Sequence, residues 1–280
     1  MTAPTTWAFR DAERYLLGLE LFGMRFGLDR MRRLMTALEQ PERAFASIHV
    51  VGTNGKSSTV RMIAAILQRH GLRAGAYLSP HLVSFTERVR IDDADVAPRA
   101  FAQAVQRAAH AAALVDRSQR DGDRVTQFEA LTAAAFSELA AAGVDVAVIE
   151  AGLGGRYDAT NVLPSAVQVL TNVGLEHTRW LGPTVRDIAR EKLAVVRDGG
   201  TLVVGAELHP DALEEARAAA ERHGARLVVA AAEPDVDLAA PGVYQRRNFA
   251  LARAAAEAFL AARTPPRALD PAAVRAAAGA

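Results

Sequence analysis

The chain has 280 residues, half of them hydrophobic, and a formal net charge of +1, enough apolar material for one large α/β domain or two small ones. The near-neutral charge argues against a nucleic-acid or membrane-surface protein, since those usually carry a clustered basic excess. Without cysteine, this sequence has no disulfides, no thiolate metal sites and no thiol nucleophile. Residues 1–14 contain no apolar signal core, and no stretch is apolar for long enough to span a bilayer, so a cytoplasmic location is expected.

Hydrophobic periodicity predicts strands that alternate with helices along the chain. Residues 11–39 have helical spacing, and Pro41 ends that segment. The predicted strands are 47–52, 73–79, 144–152, 166–174, 200–205 and 225–230. The predicted helices are 56–71, 98–115, 126–142, 184–196, 209–224 and 246–262, with a loop at 116–124. Strands that are apolar throughout are typical of parallel sheets, so the predicted fold class is α/β, a mostly parallel sheet with helices on both faces.

The segment HVVGTNGKSSTV (49–60) runs from a predicted strand into a predicted helix through a glycine-containing loop. Gly52 and Gly55 are separated by only two residues, fewer than in the usual Walker loop. Glycines let backbone N–H groups and the helix N-terminus approach a phosphate, while Lys56 can bridge the β- and γ-phosphates and a serine hydroxyl can reach Mg²⁺. The predicted nucleotide-binding residues of the loop are Thr53, Asn54, Gly55, Lys56, Ser57 and Ser58.

Polar residues also follow other predicted strands, at the edge where ligands bind in open α/β sheets. Ser79 precedes Pro80, which restricts it to an extended conformation and turns its hydroxyl to the crevice. Glu150 closes an apolar strand just before a glycine-rich loop, where a Walker B acid would hold Mg²⁺. Glu176 and His177 follow the next strand, and His177 is a candidate metal ligand.

From the sequence alone, one lysine and several histidines are interpreted as solvated groups without a functional role. Lys192 is read as a solvated helix charge. Four histidines in helical or helix-end segments are also read as solvated: His70, His110, His209 and His223.

Taken together, the motifs resemble the folylpolyglutamate synthase and dihydrofolate synthase family of the Mur ligase superfamily. The matching segments are GLDRMRRLMTALEQPERAFASIHVVGTNGKSS, YLSPHLVSFTERVRI, TQFEALTAAAF, VIEAGLGGRYDATN, LTNVGLEHTRWLGPTVRDIAREKLAVV and GVYQRRNFALA, in that order. They span nearly the whole chain, and few families combine the short GTNGK loop with the glycine-rich segment that follows Glu150.

The resemblance implies an ATP-dependent amide ligase that adds L-glutamate to a folate. The γ-phosphate of ATP would activate a substrate carboxylate as an acyl phosphate, which the amine of glutamate then attacks. Charge between the two approaching anions would be neutralised by Lys56 and two magnesium ions, and the family leaves room for a monovalent cation. The implied metal ligands are Ser79, Glu150 and His177, and Lys192 matches a carbamylated lysine.

The resemblance also implies roles for residues away from the loop. Lys56, Lys192 and His177 would be catalytic, and Asn248 would lie near the nucleotide. The implied substrate residues are His81, Thr126, Phe128, Glu129, Arg156 and Tyr157. The implied partners are ATP, L-glutamate and folate or dihydropteroate, with neither nucleic acid nor membrane, and the implied oligomeric state is a monomer.

Several positions depart from the family pattern. Ser57 replaces a glycine, Tyr157 a leucine and Tyr244 a histidine. The family's C-terminal D-G-A-H-N motif is not found, so we expect an ATP-binding domain at 1–264 and only the start of a glutamate-ligase domain at 265–280. The isolated chain is accordingly expected to bind nucleotide but to ligate poorly or not at all.

Alternatives remain open at this point. Another Mur-type ligase, a plain P-loop phosphotransferase and a nucleotide-binding remnant would each explain part of the pattern. The motifs also do not decide between dihydropteroate and tetrahydrofolate as the substrate.

Overall fold

A single eight-stranded sheet organises the chain. The structure is a computed structural model and describes residues 6–20, 27–118, 123–231 and 237–279. In the order β4-β3-β2-β5-β1-β6-β7-β8, all neighbours are parallel except β2–β3 and β3–β4. The strands are β1 (Ala46–Val51), β2 (Ala74–Tyr77), β3 (Val89–Ile91), β4 (Ala94–Asp95), β5 (Val146–Glu150), β6 (Val167–Leu170), β7 (Thr201–Gly205) and β8 (Arg226–Ala230).

Helices connect the strands and cover both faces of the sheet. They are α1 (Phe9–Leu17), α2 (Asp29–Ala37), α3 (Lys56–Arg69), α4 (Pro98–Ser118), α5 (Gln127–Ala141), α6 (Thr178–Leu181), α7 (Val185–Leu193), α8 (Pro210–Arg222), α9 (Val243–Ala261) and α10 (Pro271–Ala278). Short 3₁₀ turns lie at Pro41–Arg43, Phe85–Arg88 and Ala159–Val162.

Strand β5 shows why its sequence is apolar at every position. Val146 and Val148 face one core with α3 and α9, whereas Ala147 and Ile149 face the other core with α4 and α5. Successive side chains of a strand point to opposite faces, so a strand covered by helices on both faces needs apolar residues throughout. The predicted fold class is confirmed by this three-layer arrangement.

The structure departs from the sequence prediction in a few places. The antiparallel hairpin of β3 and β4 was missed, because strands of three and two residues give no measurable periodicity. Within 11–39 lie two helices, α1 and α2, and residues 21–26 of that segment lie outside the described part. Strand β6 ends at Leu170, earlier than predicted, because the next residues leave the sheet to hold a loop.

The prediction that His70 is solvated was wrong. His70 is buried, its Nδ1 bonds to the Ile66 carbonyl at 2.7 Å, and its Nε2 accepts the Asp270 N–H at 2.8 Å. It thereby joins α3 to the start of α10, whose apolar face packs in the same core as α3. Among the described helices, none is long and apolar enough to cross a membrane.

Candidate active site

The loop after β1 occupies the centre of the carboxyl edge of the sheet. Strand β1 pairs with β5 on one side and β6 on the other, and the chain continues from the loop 52–55 into α3. In open α/β sheets a crevice forms where the connections leave neighbouring strands in different directions. The loop, the end of β5 and the end of β6 therefore meet at one place.

Hydrogen bonds from the end of β6 fix the shape of this loop. The Thr53 N–H donates to the Asn172 carbonyl at 3.0 Å, and the Asn54 N–H donates to Asn172 Oδ1 at 2.9 Å. Thr171 Oγ1 donates to the Asn54 carbonyl at 2.7 Å. Sequence reasoning missed these two supporting residues, although the polar Thr-Asn pair that ends an apolar strand was a usable signal.

Two glycines of the loop have close neighbours that exclude a side chain. Gly52 has φ +151°, and a Cβ there would lie 1.9 Å from Thr171 Oγ1. Gly55 has φ +78°, and a Cβ there would lie 2.5 Å from Asn248 Oδ1. Asn248 therefore lies against the phosphate loop, and its side chain is buried there beside Gln245. Its predicted place near the nucleotide stays a prediction.

The Glu150 carboxylate lies where the loop, α3 and the end of β2 meet. It is 2 % exposed, Ser57 Oγ donates to its Oε1 at 3.1 Å, and the Ser79 N–H donates to its Oε2 at 3.2 Å. Burial raises the pKa of Glu150 to about 7, against the lowering effects of the Ser57 hydroxyl and the Lys56 charge. Two residues predicted at separate strand ends, Ser79 and Glu150, and Ser57 of the phosphate loop are thus brought together.

Two lysines lie beside the same loop. Lys56 Nζ donates to the Thr53 carbonyl at 3.2 Å. Lys192, on α7, is 1 % exposed, and its Nζ donates to the Gly52 carbonyl at 2.9 Å and to Glu176 Oε1 at 2.6 Å. Burial lowers the pKa of Lys192 and the Glu176 carboxylate opposes that effect. The reading of Lys192 as a solvated helix charge was therefore wrong.

The predicted metal ligand His177 and the segment SPHL (79–82) lie at the rim of the crevice. His177 is exposed, has φ +46° and is the N-cap residue just before α6. His81 Nδ1 accepts the Arg88 Nε–H at 2.8 Å, and its ring lies 4.3 Å from that of Phe85. Within the described ranges, no three His, Asp or Glu side chains gather closely enough to hold a metal by themselves.

The N-terminus of α5 carries three of the predicted substrate residues. Thr126 and Glu129 form a reciprocal cap, with the Thr126 N–H donating to Glu129 Oε2 at 2.9 Å. Arg30 Nε donates to both oxygens of Glu129 at 3.1 Å, so this buried carboxylate is already charge-paired. The Phe128 ring lies directly against Gly152. The substrate role of these residues stays a prediction.

Arg156 and Tyr157, the remaining predicted substrate residues, lie elsewhere. Arg156 Nε donates to Glu191 Oε1 at 2.8 Å. Arg156 and Tyr157 line a cavity together with Arg32 and Arg197. Arg30 on α2 faces Glu129, whereas Arg32 on the same helix faces this cavity. The predicted substrate set is therefore divided between two places in the fold.

A buried polar chain, also missed by sequence reasoning, supports the glycine loop after β5. His49 Nε2 lies 2.8 Å from Thr160 Oγ1, and the Thr160 hydroxyl donates to Asp158 Oδ1. Because that hydroxyl proton goes to Asp158, the His49 Nε2–H must donate to Thr160. Asp158 Oδ2 accepts the Leu153 N–H at 2.8 Å, which fixes the loop. The available signal was a histidine inside the mostly apolar strand segment SIHVV (47–51).

Acid should destabilise the fold through His49. Burial lowers the pKa of His49 to about 3 from 6.5, so between these values only the unfolded chain takes up the proton. The free energy of unfolding should therefore decrease by about 1.4 kcal/mol for each pH unit by which the pH is lowered within that window. Urea unfolding at pH 6.5 and 4.5 should show wild type losing about 2 kcal/mol more than His49→Gln, which keeps a donor for Thr160. The exposed His110→Gln should behave as wild type, and equal pH slopes for wild type and His49→Gln would refute the assignment.

A known protein family matches most of this chain: the Mur ligase middle domain matches residues 50–250. The dihydrofolate synthase/folylpolyglutamate synthase of Bacillus subtilis (strain 168) is 38% identical over 220 residues, which cover 78% of this chain and 50% of that protein. The chain thus spans about half the length of the curated relative.

Solved structures share the fold over nearly the whole chain. An FPGS–AMPPCP–folate complex superposes with a TM-score of 0.91 and 31% identity, covering 98% of this chain and 72% of that one. The Mycobacterium tuberculosis folylpolyglutamate synthase complexed with ADP gives a TM-score of 0.88 and 32% identity, covering 96% of this chain and 65% of that one.

Proposed function

Since the chain belongs to the Mur ligase family, and within it to the folylpolyglutamate synthases, we propose that it carries the ATP-binding part of a ligase that adds L-glutamate to a folate. The observation that carries the proposal is the buried Glu150, joined to the phosphate loop through Ser57 and to the end of β2 through Ser79. A buried carboxylate beside a phosphate loop can hold the Mg²⁺ ion that phosphoryl transfer to a carboxylate needs, because both reacting groups are anions.

The loop binds the phosphates of ATP. Its backbone N–H groups and the N-terminus of α3 present positive partial charge, and Gly52 and Gly55 leave the backbone open to close approach. Lys56, at the first position of α3, turns its ammonium to the terminal phosphates. The similarity to relatives solved with AMPPCP and with ADP supports a nucleotide at this loop.

The residues around Glu150 fit a magnesium ion. Carboxylate and hydroxyl oxygens are the ligands that Mg²⁺ prefers. The buried Glu150 carboxylate has two described hydrogen-bond donors, and a nearby cation would stabilise its charged form. Glu150 would hold the ion, with Ser57 and Ser79 beside it and His177 at the rim. When bound, magnesium supplies charge neutralisation between the phosphate and the substrate carboxylate. The number of ions and a monovalent cation remain predictions.

Lys192 positions the loop from the opposite side. Its buried ammonium holds the Gly52 carbonyl and the Glu176 carboxylate together. A carbamate on Nζ would replace this donor by an anion facing Glu176, so the predicted modification requires a cation between the two groups. Carbamylation of Lys192 is therefore tied to a second metal ion.

Replacing Glu150 with Gln should raise the Mg²⁺ concentration needed for half-maximal ATP binding by about tenfold, because the isosteric amide keeps the volume but removes the charge. Calorimetric titration with ATP over a series of Mg²⁺ concentrations measures the change. Asp145→Asn, just before the opposite end of β5, removes a carboxylate whose partner is the Arg73 N–H and should leave the Mg²⁺ dependence unchanged. The same dependence in both variants would contradict the role of Glu150.

The reaction is tested by mass spectrometry. The chain is incubated with MgATP and L-glutamate and offered dihydropteroate and tetrahydrofolate separately. A mass gain of one glutamyl residue on either pterin supports the ligase and identifies the substrate. No gain with this chain alone is the weak ligation expected above; no gain also from a version extended by the C-terminal domain of a relative, with measurable ATP binding, would favour a nucleotide-binding protein without ligase chemistry.

A further inference from the structure

The cavity lined by Arg156 and Tyr157 lies away from the phosphate loop. Its volume is about 930 Å³, and it is lined on one side by α2 and on the other by segment 156–164. The lining also includes the turn Pro41–Arg43 before β1 and Arg197 before β7. These segments precede their strands, so the cavity lies at the amino edge of the sheet. A strand of five residues separates the two edges by roughly 15 Å.

Four guanidinium groups line this space, which we call the arginine cavity: Arg32, Arg43, Arg156 and Arg197. Two carboxylates, Asp29 and Glu42, also line it. The ion pairs within this set are loose, at 3.5 Å for Arg32–Asp29 and 3.8 Å for Arg43–Glu42. Asp29 and Arg32 are also strongly exposed, at 84% and 65% of their side chains. Arg156 is paired more closely, with Glu191 at 2.8 Å, so the cavity keeps one guanidinium group, that of Arg197, in excess of its carboxylates.

Arg197 is the most informative of the four. It is half-buried, and its donors go to neutral oxygens: the Leu163 carbonyl at 3.2 Å, the Asn161 carbonyl at 2.8 Å and Asn161 Oδ1 at 2.6 Å. Throughout the described ranges, no carboxylate lies at ion-pair distance from this guanidinium. Burial, and then the charge of Arg32, lower the pKa of Arg197. A partly buried cation is usually paired with an anion, and none of the described carboxylates takes that place.

The rest of the lining can accommodate an organic body. Tyr157 is 45 % exposed, and Leu28, Met35 and Val162 add apolar surface between the arginines. Guanidinium groups bind carboxylates and phosphates through paired N–H donors. Arg197 has no described carboxylate partner and the Asp29 partner of Arg32 is loose and exposed, so these two guanidinium groups favour a ligand that carries more than one negative group.

We propose that the arginine cavity binds a small polyanion, with two or more carboxylate or phosphate groups, independently of the phosphate loop. The shared chemistry is closely spaced negative groups that reach Arg32 and Arg197 together. An oligomeric γ-linked glutamate and a pyrophosphate group are two sources of it. Binding of an anion at the amino edge of the sheet does not depend on ATP turnover. This proposal can therefore hold even if the ligase proposal fails.

The test is calorimetry with two probes, tri-γ-L-glutamate and inorganic pyrophosphate. All proteins carry Lys56→Met, so that anion binding at the phosphate loop is weakened. Arg32→Gln should weaken binding of the preferred probe by about tenfold, and the double variant with Arg43→Gln by more. Arg33→Gln is the matched control, because Arg33 is exposed on the same helix outside the cavity lining and should change affinity less than about twofold.

Each outcome decides the proposal. Binding of triglutamate alone identifies a polycarboxylate site, and binding of pyrophosphate alone identifies a phosphate site. The proposal is overturned if neither probe binds with a Kd below about 1 mM in low salt, or if Arg32→Gln and Arg33→Gln bind equally well.

Discussion

Replacing Lys56 with Met should weaken ATP binding by about a hundredfold while leaving the fold intact. The ammonium is the one positive side chain at the start of α3, and its described hydrogen bond goes to the Thr53 carbonyl within the loop. A charge-assisted hydrogen bond to phosphate contributes about 1.5–3 kcal/mol, which corresponds to a change in affinity of about tenfold to somewhat over a hundredfold. Methionine retains most of the aliphatic stem and removes the charge. Calorimetric titration of MgATP measures the effect directly.

The matched control is Arg61→Gln. Arg61 is exposed on the same helix, so its loss changes the net charge of the protein equally without touching the loop. Its ATP affinity should stay within about twofold of wild type at moderate salt. Equal ATP affinity for wild type and Lys56→Met would show that the nucleotide does not bind at this loop.

Replacing Gly52 with Ala should destabilise the protein by about 3 kcal/mol and distort the phosphate loop. The new Cβ would lie 1.9 Å from Thr171 Oγ1, 3.1 Å from Thr171 Cβ and 3.2 Å from the Thr171 backbone nitrogen. Rotating the threonine away breaks its hydrogen bond to the Asn54 carbonyl. Overpacking and a strained positive φ each cost about 1–3 kcal/mol. Chemical unfolding measures the loss.

Two variants separate the clash from the strain. Gly71 also has a positive φ, +77°, but nothing lies within 4 Å of a Cβ placed there, so Gly71→Ala should cost only about 1 kcal/mol. Adding Thr171→Ala to Gly52→Ala removes the closest contact, and the double variant should be at least about 1 kcal/mol more stable than additivity predicts. Strict additivity would contradict the contact between Gly52 and Thr171.

The sheet could be predicted from the sequence because its central strands are buried on both faces. In β5, every residue from Val146 to Ile149 is apolar and fully buried, which gives a strong local signal. The hairpin of β3 and β4 could not be found in this way. Its short strands lie at the sheet edge, and their pairing depends on contacts with β2 rather than on their own pattern.

The candidate site was predictable where chemistry coincides with a strand end. Glu150 closes an apolar strand, and the structure places its carboxylate against Ser57 and Ser79. The partners that hold the site could not be found, because they come from distant parts of the chain. Burial of Lys192 against Gly52 depends on how α7 packs, and periodicity along one helix does not reveal it.

The acyl-phosphate route is tested most directly by following the oxygen atoms of the substrate carboxylate. The pterin substrate is labelled with a heavy oxygen isotope in the carboxylate that accepts glutamate, and the released phosphate is analysed by mass spectrometry. If that carboxylate takes the γ-phosphoryl group and glutamate then attacks its carbon, one labelled oxygen leaves with the phosphate. We predict one heavy oxygen in each phosphate formed with the amide product. Unlabelled phosphate accompanying glutamyl product would contradict phosphorylation of the carboxylate and with it the proposed use of this site.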